Sequence, residues 1–143
     1  MANPQRLETV RRIQTAMSAG YSTMSLWVLI HPSSVLSLSL TPTYAIINRT
    51  TLLLFRCFGA QALTTGLLLG TAPMDERSFT YFGLAMIPYL MFNAWFLAGP
   101  GKGVFTGWLW MDCIGNVVFA AGSAWCAKLL KEDREENEAG KAK

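Results

Sequence analysis

The chain has 143 residues, of which 52% are hydrophobic and 15% charged, and its formal net charge is +3. That balance is too apolar for a small soluble domain and leaves room for one domain only. The basic residues gather towards the ends and no stripe interleaves them with aromatics, which argues against nucleic acid as the partner.

Residues 1–12 are polar and basic, with Arg6, Arg11 and Arg12. The first predicted span covers about 13–30 and stops before His31-Pro32. Its small and polar residues Ser18, Ala19, Gly20, Ser22, Thr23 and Ser25 would let a neighbouring backbone approach, as helix association in lipid requires. Further spans follow it, so it reads as a retained helix rather than a cleaved signal peptide, which directs the chain to the secretory-pathway membrane, by default the endoplasmic reticulum.

Residues 31–43 carry Pro32, Pro42 and no acid, and read as a loop dipping into the interface. The second predicted span, about 44–69, contains Arg49 and Arg56, and residues 70–78 form a polar turn. The third, about 79–97, contains Pro88, which removes one backbone donor and kinks the helix. After the turn from Gly99 to Gly103, a fourth span runs over about 104–127, and residues 128–143 form a charged, solvated and partly disordered tail.

The predicted fold is therefore all-α, a bundle of four transmembrane helices within residues 1–127. With an even number of crossings, Arg6, Arg11, Arg12, Arg77 and the basic tail residues share one side, against Arg49 and Lys102, so both termini are placed in the cytoplasm. Asn48-Arg49-Thr50 fits the glycosylation pattern but lies too close to the bilayer surface for modification to be expected. Cys57, Cys113 and Cys126 are odd in number and show no CxxC spacing, so neither a disulfide framework nor a zinc site is predicted.

Ionisable side chains inside a span are costly and call for a reason. Counted at about 1.5 Å per residue from the non-cytoplasmic start of each span, Arg56 falls at roughly 16 to 18 Å and Asp112 at roughly 12 Å, close enough for a pair. Tyr21, Tyr89 and Asn93 fall in the same half of the bilayer, with Asn116 one turn beyond Asp112, Gln61 deeper, and Trp108 one turn above as a wall. Two uses fit such a cluster. It can be an internal ion pair that fixes helix register, with Asn and Tyr completing its hydrogen bonds. It can also be a reaction chamber, in which a carboxylate kept ionised by a guanidinium attacks an electrophile or activates water. Asp112, Arg56, Tyr89 and Asn93 are then the candidate catalytic residues, and Asn116, Tyr21, Gln61 and Trp108 the candidate substrate contacts.

No Ser–His or Cys–His pair and no metal-ligand cluster shares that half of the bilayer, so acyl transfer and metal hydrolysis are disfavoured and no cofactor or metal is expected. His31 reads as a wetted helix end, and Trp27, Tyr44, Trp95 and Trp125 as interface anchors. Opening of an epoxide suits the set, the carboxylate supplying or activating the nucleophile and the donors receiving the alkoxide. Isomerisation or cyclisation of the same molecules needs similar groups. The expected partners are an apolar small molecule and membrane lipid, with homo-oligomerisation left open.

Arg56-Cys57-Phe58-Gly59-Ala60-Gln61-Ala62-Leu63, followed by Gly66-Leu67-Leu68-Leu69-Gly70, resembles the pattern of arginine, glycine and a Gly-Leu-Leu run in small four-helix membrane proteins of the DoxX-like group, over residues 13–127. The arrangement also resembles the membrane-integrated hydrolases of fungal polyketide clusters, implicated in opening epoxides on polyene pyrones of the citreoviridin and aurovertin type. That resemblance implies an epoxide-opening role with Arg56 and Asp112 as the matching charged positions. Soluble limonene-type epoxide hydrolases set two acids around one arginine, whereas the spans here hold Asp112 alone. The competing functions are a non-enzymatic DoxX-like accessory subunit and a small transporter; the latter would favour inverted repeats and broken helices, of which only Pro88 gives a sign.

Overall fold

Three of the helices begin at a side chain that closes the first turn. In the computed structural model, which describes residues 3–141, the helices are α1 (Pro4–Ile30), α2 (Pro32–Ser39), α3 (Arg49–Thr71), α4 (Glu76–Ala85), α5 (Ile87–Leu97) and α6 (Leu109–Lys141). Asn3 caps α1 through the Gln5 amide ahead of Pro4. Asn48 and Thr51 form a reciprocal capping box on α3, and Asp75 accepts from the Ser78 amide to start α4. Met86 and Pro88 divide the third span into α4 and α5, the interruption that Pro88 predicts.

Three helical segments are long and apolar enough to cross a membrane: α3, the α4–α5 unit over Glu76–Leu97, and α6. They mark the chain as an integral membrane protein. At 27 residues α1 has the length as well, but no stretch of it is as apolar as those of the other three. The reason is its position. It is packed between α3 and α6, so Ser18 and Gln14 answer to protein groups: Ser18 Oγ donates to the Gly66 carbonyl at 2.7 Å, and Gln14 Nε2 to the carbonyls of Leu69 and Ala72 at 2.6 and 2.9 Å.

The α1–α3 seam is antiparallel and close. A Cβ added to Gly59 would stand 2.7 Å from the Leu29 nitrogen, and one on Gly66 would stand 2.5 Å from Ser22 Oγ. Gly70 comes equally near Ser18. Each step along α3 thus meets an equal and opposite step along α1. On its other side α1 meets α6, with Tyr21 edge-on to Phe119 and Gly122 against Met17 and Ile13. The α4–α5 unit packs on α6, with Gly83 opposite Ser123 and Phe79 fully buried near Cys126 and Val10. The helices therefore form a row, α3, α1, α6 and then α4–α5, in which α3 and α6 are separated by α1.

Several boundaries differ from those expected, the first being that α1 begins at Pro4 and not near Ile13, so the basic N-terminal stretch is helical from Pro4. The second span starts at Arg49 and not near Tyr44, because residues 44–47 are non-helical ahead of the Asn48 cap. The fourth starts at Leu109 and not near Val104. Residues 104–106 instead pair with residues 39–41: the Thr41 amide donates to the Val104 carbonyl at 3.0 Å, the Thr106 amide to the Ser39 carbonyl at 2.8 Å, and Thr106 Oγ1 to the Leu38 carbonyl. Phe105 is gripped by Phe92 and Phe96. The stretch 31–43, read as a loop, contains α2.

The charged tail is likewise helical to Lys141 and docked on the start of α1. Asp133, 8% exposed, accepts from the Asn3 amide at 2.6 Å. Arg6 Nη2 lies 2.8 Å from Glu136 Oε1, and Arg134 Nη2 lies 3.3 Å from Glu76 Oε2. Both chain ends and the α3–α4 turn thus share one end of the bundle, and α2 with the 98–108 turn closes the other.

Candidate functional site

At the closed end, beneath the paired segments 39–41 and 104–106, three polar side chains meet between α5 and α6. Asn93 is fully buried and its Nδ2 donates to Asp112 Oδ2 at 2.7 Å. Asn116 Nδ2 donates to the same Oδ2 at 3.0 Å and to Asn93 Oδ1 at 2.9 Å. The ring closes because Asp112 and Asn116 are one turn apart on α6 and so share a face. Asp112 Oδ2 is held by two amides, while Oδ1 accepts no hydrogen bond among the described residues.

Asp112 also lies in the first turn of α6, where the helix dipole favours negative charge; the amides of that turn are themselves occupied, those of Leu109, Trp110 and Met111 donating to the carbonyls of Thr106, Gly107 and Trp108. Two amides and a helix terminus therefore take the place that sequence reasoning gave to a guanidinium. Asp112 itself is exposed, so its free oxygen is open to a molecule approaching the bundle surface.

Tyr21 of α1 meets α6 at Phe119, two turns beyond Asp112 on the same face, and Tyr89 of α5 stands one turn before Asn93. Tyr21 is half-buried against Phe119, and Tyr89 is exposed. Trp108 is exposed one residue before α6, its amide donating to Thr106 Oγ1 at 3.3 Å.

Arg56 and Gln61 do not join this group. Both are exposed on α3, and Arg56 makes no hydrogen bond or ion pair among the described residues. The expected Arg56–Asp112 pair is not formed, because α1 lies between the helices that carry them. Continuing the register set by Gly59 and Leu29 puts Arg56 level with Pro32, at the α1–α2 junction, where a long guanidinium side chain can snorkel to the membrane surface.

Two contributors were not singled out from sequence. Phe119, which orients Tyr21, lies seven residues after Asp112 and so on the same face of α6; that spacing could have revealed it. Phe105, which holds the 98–108 turn against Phe92 and Phe96 beside Asn93, carries no such signal. No group of His, Cys, Asp and Glu suited to a metal occurs among the described residues.

The chain matches no protein-family model, no curated protein and no solved structure.

Proposed function

We propose that the chain is a membrane-integrated hydrolase that opens, or rearranges, an epoxide on an apolar polyketide-type molecule, with Asp112 as its base. The observation that carries this reading is the asymmetric carboxylate: Oδ2 is fixed by Asn93 and Asn116, and Oδ1 is left for a reactant. In the hydrolytic step Oδ1 takes a proton from a water molecule as the water oxygen bonds to an epoxide carbon. The carbon–oxygen bond breaks, and the resulting alkoxide takes a proton from Tyr21 or Tyr89. Return of the Asp112 proton to the phenolate restores the site, and the product is the diol. If an internal hydroxyl replaces water, the same transfers give a cyclic ether.

This proposal leaves Arg56 outside the reaction, and the resemblance to fungal polyketide hydrolases supports it through the Asp112 position alone. It takes α1 as a fourth crossing, sets both termini in the cytoplasm on the distribution of basic residues, and places the protein in the endoplasmic reticulum. An apolar substrate reaches Asp112 from the lipid.

A second reading is favoured by the fact that the Asn93–Asp112 and Asn93–Asn116 bonds join α5 to α6: the ring would fasten helices in a non-enzymatic membrane subunit. Asp112→Asn separates the two. Purified in detergent, checked for folding and incubated with a polyene epoxide, a catalytic Asp112 gives a folded variant with turnover lowered by about 100-fold or more. Undiminished diol or cyclised product from the folded variant sinks the catalytic assignment and leaves the fastening role.

A further inference from the structure

We infer that Arg49 and Arg56, on one flank of α3, hold the phosphate of an anionic phospholipid in the leaflet at the α2 end of the bundle. The two arginines are seven residues apart, so they stand on the same side of the helix about 10.5 Å apart along its axis. Helical side chains lean towards the N-terminus, so Arg56 reaches up α3 towards the level of Arg49, where one phosphate can meet both guanidinium groups. Both side chains are exposed, and neither has an acidic or hydrogen-bonding partner among the described residues.

The chain supplies no counter-charge nearby. From Thr9 to Met74 it has no acidic residue at all, and Asp112, the single acid of the third and fourth spans beyond Glu76, lies on the far side of α1. Arg49 also begins α3, where the dipole disfavours a cation, so the site is electrostatically incomplete without an anion. Below Arg56 the same flank continues through Ala60, Leu63 and Leu67, an apolar track deeper into the membrane. Cations at the head of an apolar track match a phospholipid, whose charge and acyl chain are joined in that order.

The test is native mass spectrometry of the full chain released from micelles containing equal phosphatidylglycerol and phosphatidylcholine, read as the ratio of the two lipid-bound species. At about fivefold per arginine, wild type prefers phosphatidylglycerol by about 25-fold, Arg49→Gln and Arg56→Gln each lose about fivefold, and the double variant shows no preference. Lys102→Gln, at the same end but off the stripe, keeps the wild-type ratio. Equal occupancy of the two lipids in wild type, or a preference that survives in the double variant, overturns the inference. So does displacement of the lipid by millimolar inorganic phosphate, which would make this a site for free anions. If Arg56→Gln does not fold, Arg49→Gln at the first residue of α3 decides alone.

Discussion

Gly59→Ala is the sharpest probe of the α1–α3 seam, because the obstacle it creates is backbone. The new Cβ would stand 2.7 Å from the Leu29 nitrogen and 3.0 Å from the Leu29 Cα, so no rotamer change relieves it and the two helices must move apart. In a membrane the separated helices are already helical, so the usual gain from replacing a helical glycine by alanine largely cancels and the variant reports packing. The expected loss is about 1 to 3 kcal/mol, the range for overpacking a filled interface. Gly20→Ala, where a Cβ meets nothing within 4 Å, is the matched control and should be neutral. Unfolding in mixed micelles by titration with a denaturing detergent reads the difference. If Gly59→Ala unfolds at the same detergent fraction as Gly20→Ala, the close seam is wrong, and with it the placement of α1 between α3 and α6.

Asn93→Leu should lower stability by about 1 to 3 kcal/mol, since it removes a donor to a charged group and leaves an Asn116 hydrogen without its acceptor; a melt as high as wild type would contradict the buried ring. A double-mutant cycle on Arg56→Ala and Asp112→Asn should show coupling below about 0.5 kcal/mol, because the two do not touch; a larger value would restore the ion pair. Asp75 caps α4, and the Ser78 hydroxyl and amide hold its carboxyl below the usual value of 3.8. Its stabilisation is therefore present above the pKa of the unfolded carboxyl and lost as pH falls through the lower folded value. The protection factor of the Ser78 amide, its exchange relative to an unstructured amide at the same pH, should fall in that acid window and, in Asp75→Ala, be low at every pH.

The membrane character and the helix faces were legible because they depend on local composition and spacing. Pro88 had to interrupt its span, and Asp112 and Asn116 had to share a face. Asn93 reached Asp112 as expected, since α5 and α6 are joined by a short connection and pack as antiparallel neighbours. The Arg56 pairing failed for two reasons that spacing does not encode. A depth counted from Val104 overshoots, because residues 104–106 pair with Ser39–Thr41 and α6 begins at Leu109, so Asp112 falls in its first turn. Depth also says nothing about which helices are neighbours, and the glycine seam gives α3 to α1 alone on that side. Most charges of the tail do face solvent, and its helical order is illegible in sequence because the partners that dock it, Asn3 and Arg6, lie 130 residues away.

The row of helices sets an order in which the protein can be made. The surfaces that join α1 to α3 are complete once Thr71 has left the ribosome, so the first two long helices can pair while the rest is still being synthesised. The α4–α5 unit has no such early partner. Its fully buried Asn93 finds its acceptor on α6, which emerges after it. During that interval an amide stands unsatisfied in lipid, at a cost that favours either delayed release from the translocon or a chaperone offering a temporary acceptor. Ribosome-arrested chains ending before Leu109 are thus the form in which an insertion factor would be caught holding this protein.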